Sequence, residues 1–380
     1  MSVADRARAL ATDLRGGGSP HFLIGLGGSD DQAYRQGVTM DLHYVYLVGF
    51  SDAGGWVTWN TDGSYVDIVA NASHDAGTTP MFSYYAMALE YEQGRDTLRD
   101  AAKMTVYMND LKKMFMRLGA LGFPAVVHFE PDFFGYMQQK MASDGRTPDT
   151  YDVALHTSGF HDCDGLPETA HGWIQCILQL RDANGPNVKV GFHASEWADS
   201  FDELDPSAPI EDKARSHAAF LTALGADRAD VVVVETLDRD AGYWETHKYL
   251  ETPPGSGNWV LTTIACTVDM GQRGRVYWDE SNATLPNFTE HFRWVSALTT
   301  AMNLPALWWQ LPLGVPSGTC GGSDGHYRDN RVHYFFAHVD ELVAAGSVGA
   351  AWGTGADLQT YVDSDGNQFH DAVNAYYAAP

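Results

Sequence analysis

The sequence predicts an α/β protein with a (β/α)8 TIM-like barrel, and three observations support this fold class. Eight short apolar runs recur along the 380 residues, and each ends in polar or glycine residues. Helical patterns fill several of the intervals between the runs. One run, "VVVV" at 231–234, is continuously apolar, as expected for a parallel strand buried on both faces. Strands and helices that alternate over a chain of this length favour a closed barrel.

The predicted strands lie, in order, within 21–30, 42–50, 80–89, 123–132, 188–197, 229–238, 305–314 and 347–357. Helices are predicted at 96–120, 212–224, 288–303 and 331–344, where apolar residues recur with helical spacing. An open doubly wound sheet is the alternative. Its first strand would be followed by Gly-x-Gly-x-x-Gly, which "GLGGSD" at 25–30 matches only in part.

The whole chain, 1–380, is predicted to be a single catalytic barrel domain with long loops after its strands. Irregular stretches follow strands four, six and seven at 141–170, 251–287 and 311–330. Such loops gather at the C-terminal face of a barrel, where active sites lie. Within the middle stretch, "NWVLTT" and "GRVYWD" are expected to form a hairpin.

The net charge of −25, from 24 basic and 49 acidic residues, restricts the partners. It disfavours nucleic acid and anionic membranes and suits a neutral substrate, so a carbohydrate is the expected partner. The N-terminal segment is charged and lacks the apolar core of a signal peptide. We expect a bacterial protein secreted after removal of such a signal, with a cytoplasmic location as the alternative. The oligomeric state stays open.

The cysteines are Cys163, Cys176, Cys266 and Cys320, and none forms a Cys-x-x-Cys pair. This spacing argues against a zinc or redox motif. Buried free thiols are the expected state, and a Cys163–Cys176 bridge is the alternative for an exported protein.

Acidic side chains recur at the predicted strand ends. On strand four, the alternation of side chains places His128, Glu130 and Asp132 on one face. Glu235 ends strand six, and the C-terminal ends of both strands meet at the mouth of a barrel. Two carboxyl groups that flank one bond are what glycoside hydrolysis requires, without a cofactor or a metal. The catalytic candidates are Glu130 or Asp132 as proton donor, and Glu235, Asp238 or Asp240 as base or nucleophile.

Aromatic residues point to the substrate class. Eleven Trp, 18 Tyr and 17 Phe make up 12% of the chain, and many follow the predicted strands, where their flat faces suit sugar rings. Alternation requires one of Trp308 and Trp309 to face into the barrel and the other out. The substrate-binding candidates are His128, His193, Trp197, Tyr84, Trp309, Gln310, His326 and Asp329.

The segment "VVHFEPDFFG" at 126–135 resembles the Glu-Pro-Asp motif of family 6 glycoside hydrolases, the cellobiohydrolases and endoglucanases. This resemblance implies Asp132 as the general acid and a β-glucan such as cellulose as the substrate. The later "GTCGGSDG" at 318–325 is similar to a glycine-rich acidic loop of that family, which implies Asp324 as a base candidate.

The eight-stranded retaining clan of glycoside hydrolases offers a second comparison. That clan has Asn-Glu-Pro after strand four and a nucleophilic Glu after strand seven. Here Phe129 takes the place of the Asn, and strand seven ends in Gln310. The comparison implies Glu130 as acid/base and leaves Glu235 for the nucleophile. The overall pattern, with "HYRDNRVHYFF" at 326–336, is also similar to bacterial secreted hydrolase-like proteins.

Two other function classes compete with a glycoside hydrolase. A metal-dependent barrel isomerase or lyase would draw its ligands from His128, Glu130, His193, Glu235 and Asp238. A non-catalytic carbohydrate-binding barrel would bind sugars without turnover. Chelator sensitivity identifies the former, and sugar binding that survives loss of the acids identifies the latter.

Overall fold

The computed structural model describes residues 1–28, 30–35, 37–90, 94–199, 204–236, 240–263, 277–316, 327–354 and 359–379. Within these ranges eight parallel strands close into a barrel, in the order β1-β10-β9-β6-β5-β4-β3-β2. They are β1 (Leu23–Gly27), β2 (Leu42–Val48), β3 (Thr79–Tyr85), β4 (Ala125–Phe129), β5 (Val188–Ala194), β6 (Val231–Val234), β9 (Ala306–Leu311) and β10 (Ser347–Trp352). Strand β1 closes the barrel by pairing with both β2 and β10. The predicted (β/α)8 class is confirmed, and the open sheet is excluded.

Helices surround the barrel. In chain order they are α1 (Val3–Leu14), α2 (Asp30–Arg35), α3 (Tyr65–Asp75), α4 (Ala101–Leu121), α5 (Phe133–Asp144), α6 (Ala170–Asn184), α7 (Ile210–Leu224), α8 (Ala241–Thr246), α9 (Phe288–Met302), α10 (Arg331–Ala337), α11 (Val339–Ala344) and α12 (Gln368–Ala378). Polar side chains begin several of them: Asp100 accepts the backbone N–H groups of Ala102 and Lys103 at the start of α4. The helix predicted at 331–344 is two helices, because the backbone of His338 is not helical (φ −128°).

An antiparallel hairpin lies in the loop after β6. It pairs β7 (His247–Glu251) with β8 (Trp259–Thr263), and Leu250 stands opposite Val260. The expected strand "NWVLTT" is therefore present, but its partner precedes it in the chain. The first half of the proposed partner "GRVYWD", 274–276, lies outside the described residues.

Buried apolar side chains form two layers. Leu42, Met81 and Val126 belong to a cluster inside the barrel, together with Trp309. Alternate residues of the same strands, such as Val127 and Trp308, pack outward against the helices. This arrangement confirms that Trp309 and Trp308 face opposite sides of β9, as the two-residue period of a strand requires.

Cys163 and Cys176 form a disulfide with a Cα–Cα distance of 5.7 Å, so the expectation of free thiols is wrong for this pair. Their Cα separation falls in the normal range for a bridge. The bridge ties the loop after α5 to α6. Cys266 and Cys320 lie outside the described residues. In the part of the chain that the structure describes, every helix is too short or too polar to cross a bilayer.

Candidate active site

The end of β4 is built by two residues with left-handed backbone. Glu130 has φ 50° and Asp132 has φ 65°, with Pro131 between them. Few residues other than glycine adopt this conformation, because the Cβ atom crowds the backbone. The left-handed turn ends the alternation that was expected to put His128, Glu130 and Asp132 on one face. The two acids consequently point to different places.

Glu130 points into the layer between the barrel and α4, and it is fully buried. Its Oε2 accepts the backbone N–H groups of Ala86 (3.1 Å) and Met87 (2.9 Å), and its Oε1 accepts the Tyr107 hydroxyl (3.0 Å). Burial raises the pKa of the Glu130 carboxyl to about 8, although these hydrogen bonds favour the charged form. Glu130 thus fastens the turn after β3 to the end of β4, away from the barrel mouth.

Asp132 instead points to the mouth, where it meets His193 from β5 and Glu235 from the end of β6. A carboxylate oxygen of Asp132, a ring nitrogen of His193 and a carboxylate oxygen of Glu235 all lie within 4.8 Å of one another. His193 is buried, and the Glu235 side chain is 15% exposed. Strand ends of one barrel therefore bring together two of the predicted carboxylates, each within reach of solvent.

Histidines continue from this pair into the barrel. His193 Nε2 lies 3.2 Å from Glu235 Oε1, and His193 Nδ1 lies 3.0 Å from His128 Nε2. The ring of Trp309 packs edge-on against both imidazoles, with centroids 4.7 Å and 5.8 Å away. Burial, and then the neighbouring His193, hold the pKa of His128 well below its usual range. His128 is thus a neutral residue beneath the pair, out of reach of a substrate.

Aromatic rings form the rim beside the carboxylates. Tyr136 and Trp197 are half-buried, and their ring centroids are 4.9 Å apart. Burial raises the pKa of Tyr136, and the charges of Asp132 and Glu235 raise it further, whereas Arg95 opposes the shift. Tyr136 therefore stands beside the carboxylate pair. It was not among the predicted site residues, although the aromatic run after strand four was its signal.

Other aromatic candidates are distributed over both faces of the barrel wall. Tyr84 is buried in the outer layer against Trp56 and Tyr107, so the structure places it away from the mouth. Its neighbour Tyr85 is half-buried and packs against Tyr46 inside the barrel. On β3, Tyr85 therefore faces the barrel interior, and the predicted candidate Tyr84 does not.

Gln310 has left-handed backbone (φ 54°) near the end of β9. Its amide nitrogen donates to the Tyr46 hydroxyl and to the Thr354 carbonyl, the latter at 3.3 Å. The predicted substrate contact thus corresponds to a side chain that joins β9 to β2 and to the segment after β10.

Asp240 and Asp329 are buried together on one side of the mouth, in a group of contacts that we call the loop clamp. Asp240 accepts the backbone N–H groups of Gly314 and Thr360, each at 2.8 Å. Asp329 accepts the N–H of Ala241 (2.9 Å). The clamp therefore joins the loops after β6, β9 and β10.

An arginine completes the clamp. Arg331 Nη1 lies 2.6 Å from Asp329 Oδ2, and its Nε donates to the Thr236 hydroxyl at 3.1 Å. Burial, and then the Asp329 charge, raise the pKa of Asp240 to about 7. These contacts occupy both acids, so the structure gives Asp240 and Asp329 supporting positions. The remaining candidates Asp238, Asp324 and His326 lie outside the described residues.

His291, on the first turn of α9, was not predicted as a site residue. Its Nε2 donates to the backbone carbonyl of Glu235 at 3.2 Å, and its Nδ1 lies 2.8 Å from a Glu196 carboxylate oxygen. These contacts fix the end of β6. No sequence signal relates a helical histidine to a strand 56 residues away, although Glu196 does follow strand five.

The sequence matches no protein-family model and no curated protein at a significant level. Two solved barrels are similar in fold, both with a TM-score of 0.51. An endo-β-1,4-mannanase double mutant from Cellulomonas fimi is 12% identical, with 100% of this chain and 75% of that chain covered. A GH26 β-mannanase from Bacteroides ovatus is 11% identical, with 99% and 93% covered. At such identities the likeness shows the fold alone.

The endoglucanase Cel6 from Mycobacterium tuberculosis aligns with a TM-score of 0.37 and 14% identity, over 73% of this chain and 64% of that chain. A likeness this weak carries no argument. The resemblance of "VVHFEPDFFG" to family 6 is therefore not confirmed.

Proposed function

We propose that this protein is a glycoside hydrolase acting on a neutral β-linked glycan, with Asp132 and Glu235 as its carboxylate pair. The observation that carries the proposal is the closeness of these two groups, since one oxygen of each lies within 4.8 Å of the other at the barrel mouth. Carboxyl groups about 5 to 5.5 Å apart are typical of retaining enzymes, whereas inverting enzymes need about 6.5 to 9.5 Å for a water. The close approach of one oxygen from each group favours the shorter, retaining arrangement, and we propose retention.

In the proposed reaction Glu235 attacks the anomeric carbon while Asp132 gives its proton to the leaving oxygen. Water then enters, Asp132 takes one of its protons, and the glycosyl ester on Glu235 is hydrolysed. The rings of Tyr136 and Trp197 stand where a sugar would bind, and the buried His193 contacts Glu235 from beneath. Under this assignment Glu130 is a supporting residue and not the proton donor.

A β-mannan is the first substrate to test, because both solved barrels with a TM-score of 0.51 are described as mannanases. A β-glucan such as cellulose is the alternative. The net charge of −25 favours neutral polymers over acidic ones. We also propose that the protein is secreted, since disulfides such as Cys163–Cys176 persist mainly in oxidising compartments.

The test is a panel of β-mannan, glucomannan, cellulose and mixed-linkage β-glucan, read by released reducing ends and by proton NMR of the first anomer formed. Asp132→Asn and Glu235→Gln should each lower kcat at least about a hundredfold, since each removes a proton donor or a nucleophile. Glu130→Gln should retain most of the turnover. Glu211→Gln, on the surface of α7 where Glu211 pairs with Arg293, is the control for a lost carboxylate.

A first product with inverted anomeric configuration would contradict the retaining assignment. Loss of turnover in Glu130→Gln with full activity in Asp132→Asn would exchange the roles of the two acids. Sugar binding without hydrolysis, unaffected in Glu235→Gln, would instead identify a carbohydrate-binding barrel.

A second candidate function is metal-assisted isomerase or lyase chemistry. Three potential ligand atoms within 4.8 Å, from Asp132, His193 and Glu235, favour it specifically. This candidate predicts activity that EDTA abolishes and a divalent cation restores. A glycan hydrolysis rate unchanged by EDTA would exclude it.

A further inference from the structure

Four side chains form one hydrogen-bonded chain that runs from the barrel interior to its mouth, three from the neighbouring strands β3, β4 and β5 and one from the end of β6. Ser83 Oγ lies 3.3 Å from His128 Nδ1, His128 Nε2 lies 3.0 Å from His193 Nδ1, and His193 Nε2 lies 3.2 Å from Glu235 Oε1. Ser83, His128 and His193 are fully buried. We call this set the relay. It leads from the barrel interior to one of the two proposed catalytic carboxylates.

The two histidines restrict where protons can be. Both nitrogens of each imidazole face a partner in the relay. At 3.0 Å, His128 Nε2 and His193 Nδ1 require one hydrogen between them, because two N–H groups or two lone pairs would repel. The protonation of either ring therefore determines that of the other.

Glu235, at one end of the relay, determines where the remaining proton lies. A hydrogen bond between His193 Nε2 and Glu235 needs one proton, and an ionised carboxylate has none to donate, so it can only accept. With Glu235 ionised, the shared proton resides on His193 Nε2. If His193 is neutral, its bare Nδ1 accepts from His128 Nε2–H, and the bare His128 Nδ1 accepts the Ser83 hydroxyl. Every group in the relay then has a complementary partner.

We propose that Ser83 and His128 are positioning residues that keep the proton of His193 on Nε2, so that Glu235 receives an N–H and stays the ionised member of the pair. Asp132 then holds the proton that the leaving group needs. His128 acts only through His193 and never touches the substrate. The role of Glu235 as nucleophile rests on the proposed function, whereas the proton positions in the relay do not.

The packing around the rings supports a fixed orientation. Trp309 packs edge-on against both imidazoles, which limits rotation of either ring. The lowered pKa of His128, caused by burial, also agrees with a neutral ring that donates from Nε2. A freely turning His193 would present Nδ1 or carbon to Glu235 part of the time.

The experiment reads the imidazole nitrogens directly, by long-range proton–nitrogen NMR of the labelled full-length protein after dialysis against EDTA. We expect His193 to show a protonated Nε2 in the parent, with His128 in the same tautomer. His128→Leu removes the donor, so His193 should become a mixture of tautomers. On glucomannan, the kcat of His128→Leu should fall about ten- to hundredfold with KM unchanged. This is the size expected when the hydrogen bond from His193 to the charged Glu235 is lost.

His128→Gln carries an amide N–H that can donate to His193 Nδ1, so it should recover most of the tautomer signal and of kcat. Should His128→Leu not fold, Ser83→Ala should change both readouts in the same direction by less. His43→Gln is the matched control: His43 is fully buried and lies 2.9 Å from the Ser73 hydroxyl, but on the outer side of β2. It should leave the His193 signal unchanged.

A bare Nε2 on His193 in the parent would overturn the proposal, and so would a tautomer and a kcat that do not respond to either His128→Leu or Ser83→Ala. If no glycan is hydrolysed, the proposed function fails, but the nitrogen signals still test the relay.

Discussion

At the residue scale, the contrast between Glu130 and Asp132 shows how neighbours in sequence acquire different chemistry. Asp132 stands at the mouth with Glu235, whereas Glu130 accepts hydrogen bonds from two backbone N–H groups and from Tyr107 in the interior. Glu130 is fully buried, so its neutral form is favoured. The left-handed backbone at both positions is what separates them.

Glu130 should make stability depend on pH. Its pKa is raised from 4.5 to about 8 in the folded protein. The stability that this carboxyl contributes is therefore complete below about pH 4.5 and is lost as the pH rises through about 8. Glu130→Gln resembles the neutral acid and cannot ionise. We expect it to equal the parent at pH 5 and to be more stable at pH 9, on the order of several kcal/mol, by urea unfolding.

Glu211→Gln serves as the control, because Glu211 is half-buried on the surface of α7 and its hydrogen bond to Arg293 lowers its pKa, so it stays ionised in the folded chain over this pH range. Parallel stability curves for the parent and Glu130→Gln would contradict the buried, proton-binding role.

At the element scale, the loop clamp decides how the loops around the mouth are held. Asp240 accepts N–H groups from the segments after β9 and β10, and Asp329 accepts one from the loop after β6. Gly314 is required there, because its φ is 49° and an added Cβ would lie 2.0 Å from the Cβ of Asp329. One buried group of side chains thus holds three of the loops that surround the site.

Asp240→Ala should loosen this group. The substitution leaves two buried N–H groups without their acceptor, at about 1 to 3 kcal/mol each before relaxation and water entry. We expect a loss of about 2 to 4 kcal/mol in the free energy of unfolding and faster hydrogen exchange at Gly314 and Thr360.

The control is Asp205→Ala, where an exposed aspartate accepts the backbone N–H of Ser207 at 2.8 Å. This change should cost well under about 1 kcal/mol. Unchanged exchange at Gly314 and Thr360 in Asp240→Ala would show that the clamp does not hold the loops.

At the scale of the whole molecule, closure of the barrel is what gathers the site. Strands β3 to β6 are neighbours in the barrel, so Ser83, His128, His193 and Glu235 stand side by side although they are far apart in sequence. The 49 acidic residues spread a net charge of −25 over the molecule. Such a charge keeps the protein soluble but opposes compactness through self-repulsion.

This repulsion should make the melting temperature depend on salt. Raising NaCl from about 10 to 200 mM shortens the Debye length from about 30 Å to below 10 Å, so like charges repel less. We expect Tm to rise by a few degrees at neutral pH, measured by calorimetry or circular dichroism. The same step near the isoelectric pH should change Tm little. A falling Tm at neutral pH would mean that attractive ion pairs outweigh the net repulsion.

The sequence by itself determined the eight strands, the barrel and the meeting of acids from strands four and six. These follow from apolar runs and two-residue alternation, which are local properties of the chain. Alternation also predicted that the side chains of Trp308 and Trp309 lie on opposite faces of their strand. It failed at Glu130, where the left-handed backbone reversed the expected face. Two proposed substrate contacts, Tyr84 and Gln310, instead pack in the outer layer and join neighbouring segments, respectively.

Only the tertiary structure decided which of Glu130 and Asp132 reaches the mouth. The choice depends on the N–H groups of Ala86 and Met87 and on the Tyr107 hydroxyl, which come from other parts of the chain. The same holds for the relay and the loop clamp, whose members are joined by hydrogen bonds between distant segments. Such contacts arise only when the barrel closes, because they depend on which strand lies beside which and not on any pattern within one segment.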